Sequence, residues 1–199
     1  MAGVVNNGQD VLAKVVLTGI PDSGKGTLLR HMARRHAHDS IRVGEVDGGA
    51  VYRTEFYWPE ELKDGRRLRV RLFALSGRPT FNAVSELLLA GCDGLVFVAD
   101  VQPDRLAEVQ AAFRGVIYNA GRSGIDLKRL PLVVQYHYRG VEPGFDPDRM
   151  DQCLGITPGE VERVTIRFSE EDQAGCVGVE QVLRRIVREA CPEKNMIEA

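Results

Sequence analysis

The sequence predicts an α/β fold: a doubly wound, mostly parallel sheet with helices on both faces. Three observations predict it. The apolar run Ala13–Thr18 leads into a glycine-rich loop, Gly19-Ile20-Pro21-Asp22-Ser23-Gly24-Lys25-Gly26-Thr27, and then into the helix-patterned Leu28–Ala33. Gly94–Asp100 is continuously apolar up to its last residue, as a central parallel strand buried on both faces requires. Strand and helix patterns then alternate to the end of the chain.

The elements follow in order. Ala13–Thr18 is the first strand, and Thr27–His38 is the helix after the loop. Val51–Trp58 is rich in β-branched and aromatic residues and forms a strand stopped by Pro59, which has no N–H to donate. Lys63-Asp64-Gly65-Arg66 centres a hairpin turn on Asp-Gly. It joins that strand to Leu68–Leu75, so one of the pair runs antiparallel to the other. Phe81–Ala90 is a short amphipathic helix. Pro103–Ala120 has helical periodicity through Leu106, Val109, Phe113, Val116 and Ile117. Leu130–Tyr136 is a buried strand, Asp148–Leu154 a short helix and Val161–Phe168 the last strand. Val179–Ala190 closes the fold, with Val182, Leu183, Ile186 and Val187 on one helical face.

Bulk properties narrow the function. The 199 residues suit one domain, residues 1–199, with a sizeable core. A net charge of −2 gives no electrostatic case for nucleic acid as a partner. Cys92, Cys153, Cys176 and Cys191 have no metal-ligand spacing and are expected to be free thiols in a reducing cytoplasm. Residues 1–10 lack the pattern of a signal peptide, no apolar run has membrane-spanning length, and no lipidation motif is present. The expectation is a cytoplasmic protein without a direct membrane anchor, recruited to a membrane or cell pole only through partners.

The loop carries the chemistry. Strand, glycine loop and helix form the context of a Walker A motif. Glycines let backbone N–H groups turn inward around a phosphate, while a lysine and the helix N-terminus add positive charge. Asp22, Ser23, Gly24, Lys25, Gly26 and Thr27 are the candidate phosphate-binding residues. The strict pattern places a hydroxyl directly after the lysine. Here that position is Gly26, and the hydroxyl follows at Thr27.

Three further segments, in order, extend the pattern. Tyr52-Arg53-Thr54-Glu55-Phe56 lies in the second strand. Phe73-Ala74-Leu75-Ser76-Gly77-Arg78-Pro79 precedes Leu89–Asp100. Ile125–Pro131 leads to Gln135-Tyr136-His137-Tyr138-Arg139-Gly140. Together with the loop they resemble the Ras superfamily of small GTPases, and within it the MglA family of bacterial cell-polarity GTPases. The resemblance implies a P-loop NTPase fold with a Ras-like sheet of six strands, ordered 2-3-1-4-5-6, one of them antiparallel. It also implies a molecular switch that binds GTP or GDP with Mg²⁺ and hydrolyses GTP slowly or under a regulator's control.

In that resemblance Arg53 matches an intrinsic arginine finger, and Thr54 matches a γ-phosphate sensor and metal ligand. The Gly77 N–H would meet the γ-phosphate. Arg78 stands where the family has a water-orienting glutamine, and as a donor-only guanidinium it would clamp a phosphate oxygen instead. His137 and Tyr138 fall at the base-reading position, with Tyr138 suited to stacking. The implied partners are a roadblock-fold, MglB-like regulator dimer and polarity or motility effectors.

The residues leave other readings open. Gly26 removes a magnesium hydroxyl, and Gly140 removes the aspartate that reads guanine. Charged hydrogen bonds contribute about 1.5–3 kcal/mol each, so base discrimination should relax by roughly tenfold to a thousandfold. With Arg78, these departures also fit a pseudo-GTPase, in which the fold serves as a protein-interaction module. The order Gly-Lys-Gly-Thr also occurs in adenylate kinases, although no lid or arginine set follows it here. Arg53 equally suits an exposed hairpin charge, Thr54 a β-branched strand residue, and His137 and Tyr138 strand-end packing.

Overall fold

The computed structural model describes residues 10–36, 41–46, 49–62, 65–76, 82–138, 146–157, 161–167 and 176–190. Their strands are β1 (Asp10–Thr18), β2 (Ile41–Val46), β3 (Gly49–Glu61), β4 (Arg67–Ser76), β5 (Gly94–Asp100), β6 (Leu132–Tyr138) and β7 (Glu162–Arg167). Their helices are α1 (Lys25–Arg35), α2 (Asn82–Leu89), α3 (Leu106–Arg122), α4 (Pro147–Leu154) and α5 (Val177–Ala190), with a 3₁₀ turn at Pro103–Arg105 before α3.

The strands form one sheet in the order β2-β3-β4-β1-β5-β6-β7. β3 is antiparallel to both β2 and β4, and the other pairings are parallel. β3 is therefore the one reversed strand. Leaving out β2 reproduces the expected six-strand order. β2 is a seventh strand added to the expected six. The added strand, Ile-Arg-Val-Gly-Glu-Val, contains a glycine and two charges, and its register with β3 shifts between Arg42 and Gly44. That composition weakens the strand signal in sequence.

Other boundaries move for local reasons. β3 continues through Pro59 to Glu61, where its register with β4 shifts between Tyr57 and Glu61. β2 pairs only with residues 49–53 of β3, so Pro59 lies on an open edge, where a missing N–H costs no ladder bond. β6 begins at Leu132 rather than Leu130, after Pro131, and reaches Tyr138. At the hairpin, Gly65 has φ 77° and its N–H donates to Leu62 O at 2.8 Å.

The sheet separates two cores. On one face, Val11, Ala13, Val15 and Leu17 of β1 pack with Leu28, Leu29 and Met32 of α1 and with Val179, Val182, Leu183 and Ile186 of α5. On the other, Val16, Leu95, Phe97 and Ala99 pack with Phe113 of α3 and Met150 of α4. Both faces of β5 are buried throughout, which explains its unbroken apolar run. α4 is tied down by polar groups: Asp146 caps its first turn by accepting from Asp148 N at 2.9 Å, and Tyr136 OH donates to Asp151 at 2.5 Å. Among the described residues Cys92, Cys153 and Cys176 are free. No helix among them is long and apolar enough to cross a membrane.

Candidate functional site

The loop sits at the C-terminal end of β1, beside the ends of β5 and β6. Gly19 opens it at φ 136°, and a Cβ there would lie 2.1 Å from Val98 O. Only glycine allows this approach to β5. Asp22 adopts φ 56° and Gly24 φ 100°, so left-handed residues recur as the chain curves towards α1. This geometry is that of a backbone nest, an arrangement suited to anions. Gly24 is the N-cap, its carbonyl accepting from Leu28 N at 2.9 Å, and Lys25 is the first helical residue.

Lys25 is 4% exposed. Its Nζ donates to Gly19 O at 3.0 Å, to Ile20 O and to Ser23 Oγ at 3.4 Å. The ammonium therefore lies in the concavity, held by loop oxygens. Burial pulls it down to about 8 from an ordinary 10.5; Asp22 and Glu108 oppose the fall and Arg105 adds to it. An arriving phosphate would supply the negative charge that this buried cation lacks.

The structure places the other expected residues unevenly. Ser23, 1% exposed, lies within the loop. A Cβ at Gly26 would meet only Arg30 Nη1, at 3.6 Å. The Thr27 hydroxyl lies on the exposed side of the first turn and accepts from Arg30 at 3.0 Å. Thr54 is 1% exposed, and its position opposite Leu72, which pairs with Val15, sets it in mid-strand. That level is three residues, or roughly 10 Å, short of the end of β1. Its hydroxyl has no hydrogen-bond partner among the described residues. Thr54 shares the α1-facing side with Phe56 and Trp58. Arg53, one residue earlier, occupies the opposite face. The structure thus brings neither Arg53 nor Thr54 to the loop. Gly77, Arg78 and the side chain of Tyr138 lie outside the described residues.

His137 is brought to the loop, and in an unexpected role. It is 2% exposed, with Nδ1 2.9 Å from Ser23 O and Nε2 against Gln135 Nε2. Gly178 N donates to Gln135 Oε1 at 3.0 Å, which turns the Gln135 amide nitrogen towards the imidazole. Nε2 therefore accepts, and Nδ1–H donates to Ser23 O. Both ring nitrogens are engaged within the protein rather than presented to a base.

Two groups at the loop carried no sequence signal. Arg105 Nη2 donates to Pro21 O at 2.9 Å and to Glu108 at 3.0 Å, while its Nη1 lies 3.6 Å from Asp100 Oδ2. Asp100, at the end of β5, is 1% exposed and accepts from Gln102 N at 3.3 Å. Neither has a motif. The β5–α3 connection alone carries them to the loop.

The described residues do not assemble a magnesium ligand set. No group of three His, Cys, Asp or Glu side chains is placed to hold a metal. Gly26 has no side chain, the Thr27 hydroxyl is directed to Arg30, and the Thr54 hydroxyl is buried in mid-strand.

Sheet order, loop and lysine define an α/β P-loop NTPase fold of the Ras-like type. No protein-family model matches the chain. The chain is similar to the mutual gliding-motility protein MglA of Myxococcus xanthus (strain DK1622), with 27% identity over 158 residues, covering 77% of this chain and 81% of that protein.

Proposed function

We propose that this chain is a nucleotide-dependent switch of the small-GTPase type. Its loop would hold the phosphates of GTP or GDP, with guanine preference relaxed by the loss of the base-reading aspartate. The observation that carries this reading is the loop: left-handed Asp22 and Gly24 lead into a helix whose first residue, Lys25, keeps a buried ammonium in the concavity. In the proposal, backbone N–H groups from Asp22 to Thr27 and the Lys25 ammonium neutralise the phosphates. Similarity to the gliding-motility protein MglA supports a setting in gliding motility. A roadblock-fold regulator dimer is the proposed partner.

Turnover is expected to be slow in the isolated protein. Arg53 lies on the sheet face away from α1, and Thr54 lies in mid-strand. Among the described residues no hydrogen bond or ion pair joins either side chain to the loop, so phosphate occupancy does not by itself imply cleavage. The same observation favours the pseudo-GTPase as a second reading, in which nucleotide is held but not hydrolysed.

Denaturing the purified protein and chromatographing what is released tests the proposal. GDP or GTP in the supernatant supports the switch, whereas ADP or ATP indicates a changed base preference. Absence of nucleotide, with no thermal shift on adding GTP, GDP or ATP with Mg²⁺, overturns both nucleotide readings. If nucleotide binds, phosphate release by wild type and Arg53→Ala separates the two: equal rates remove Arg53 from the mechanism.

A further inference from the structure

A trans peptide sends its C=O and the next residue's N–H in opposite directions. Whatever holds a loop carbonyl outward therefore aims the following amide inward. Two carbonyls of this loop are held by donors from outside it. Pro21 O accepts from Arg105 at 2.9 Å, and Ser23 O accepts from His137 Nδ1 at 2.9 Å. The amides that follow belong to Asp22 and Gly24, the two left-handed residues of the nest.

Each donor is itself anchored. Arg105 is fixed by Asp100, at the end of β5, and by Glu108 of α3. His137 is fixed by Gln135, whose amide is oriented by the Gly178 N–H of α5. The braces therefore connect the loop to two different helices, α3 and α5.

We propose that Arg105 and His137 are positioning residues that orient the Asp22 and Gly24 amides towards the phosphate position, so that α3 and α5 control phosphate affinity through the loop. This rests on the loop being the phosphate site. A loop with free peptide planes would have to order them on binding, whereas the braced loop is ordered beforehand. Because each brace acts on its own peptide, the effects are separable. Loss of Arg105 loosens Asp22, and loss of His137 loosens Gly24.

The experiment uses full-length protein, amide order parameters measured by NMR, and titration with GTP and with inorganic pyrophosphate. In Arg105→Ala the Asp22 amide order parameter should fall from the rigid range near 0.85 towards roughly 0.6, with β5 amides unchanged. GTP and pyrophosphate affinity should drop about tenfold, as expected for one lost charge-assisted hydrogen bond. Arg105→Lys keeps a single donor for Pro21 O and should restore part of both. In His137→Ala the larger loss should fall on Gly24. Arg105 is 22% exposed, so its variants test the idea even if His137→Ala fails to fold. Unchanged Asp22 order in Arg105→Ala overturns the brace, as does equal affinity in wild type and Arg105→Ala. If wild type binds neither GTP nor pyrophosphate, the phosphate reading and the role in affinity fall together. The order parameters then decide whether the braces hold the peptides at all.

Discussion

Burial of Lys25 has a measurable consequence. The fold holds its ammonium at about 8 against an ordinary 10.5. Below pH 8 both folded and unfolded chains carry this proton, and Lys25 adds no pH dependence. Between pH 8 and 10.5 the unfolded chain holds the proton and the folded chain releases it. Stability therefore rises with pH across that window, by about 1.4 kcal/mol per pH unit from this residue. The full window corresponds to about 3 kcal/mol, which is the cost of keeping the buried charge at pH 7. Lys25→Met removes the titration and keeps most of the packing. Urea unfolding of both proteins between pH 8 and 9.5 should show wild type gaining about 2 kcal/mol relative to Lys25→Met. Other titrating groups act on both proteins and cancel in the difference. Nucleotide affinity should move the opposite way, falling up to about tenfold per pH unit above pH 8, because phosphate favours the charged lysine. A stability difference that stays constant from pH 8 to 9.5 would refute the reasoning.

Two further substitutions address Thr54 and Gly26. Thr54→Val removes a buried hydroxyl that has no partner among the described residues. It should raise stability by about 1 kcal/mol in chemical denaturation and leave nucleotide affinity unchanged; a tenfold loss of affinity would place Thr54 back at the nucleotide. Gly26→Ser introduces the hydroxyl of the strict motif where a Cβ has only Arg30 nearby, at 3.6 Å. It should raise the melting temperature by an amount equivalent to about 0.5 kcal/mol through helix propensity and should strengthen the Mg²⁺ dependence of GTP binding, checked by titration with and without EDTA. A lower melting temperature would show that the first turn of α1 cannot accept a side chain there.

The sequence by itself determined the central strands of the sheet and the place of the loop. Burial of β5 on both faces demands an unbroken apolar run, and a strand turning sharply into a helix demands glycines, so both are local signals. β2 was not legible, because its glycine and charged residues hide an edge strand that only pairing with β3 defines. Pro59 was misleading for the same kind of reason: proline ends a strand only where a neighbour needs its N–H. The candidate site divides in the same way. Gly19, Gly24 and Lys25 are neighbours in sequence, and their spacing alone put them together. Register placed Thr54 roughly 10 Å short of the end of β1, a position that the resemblance of its segment to a switch did not convey. His137 falls at the base-reading position of the resemblance and equally suits strand-end packing; its hydrogen bond to Ser23 O, 114 residues away, is what brings it to the loop. Arg105 and Asp100 reach the loop only because β5 lies beside β1 and α3 leaves from its end. Side-chain periodicity and backbone constraints act over a few residues and are written in the chain. Which donor meets which carbonyl across 84 or 114 residues is set by packing, and only the tertiary structure decided it.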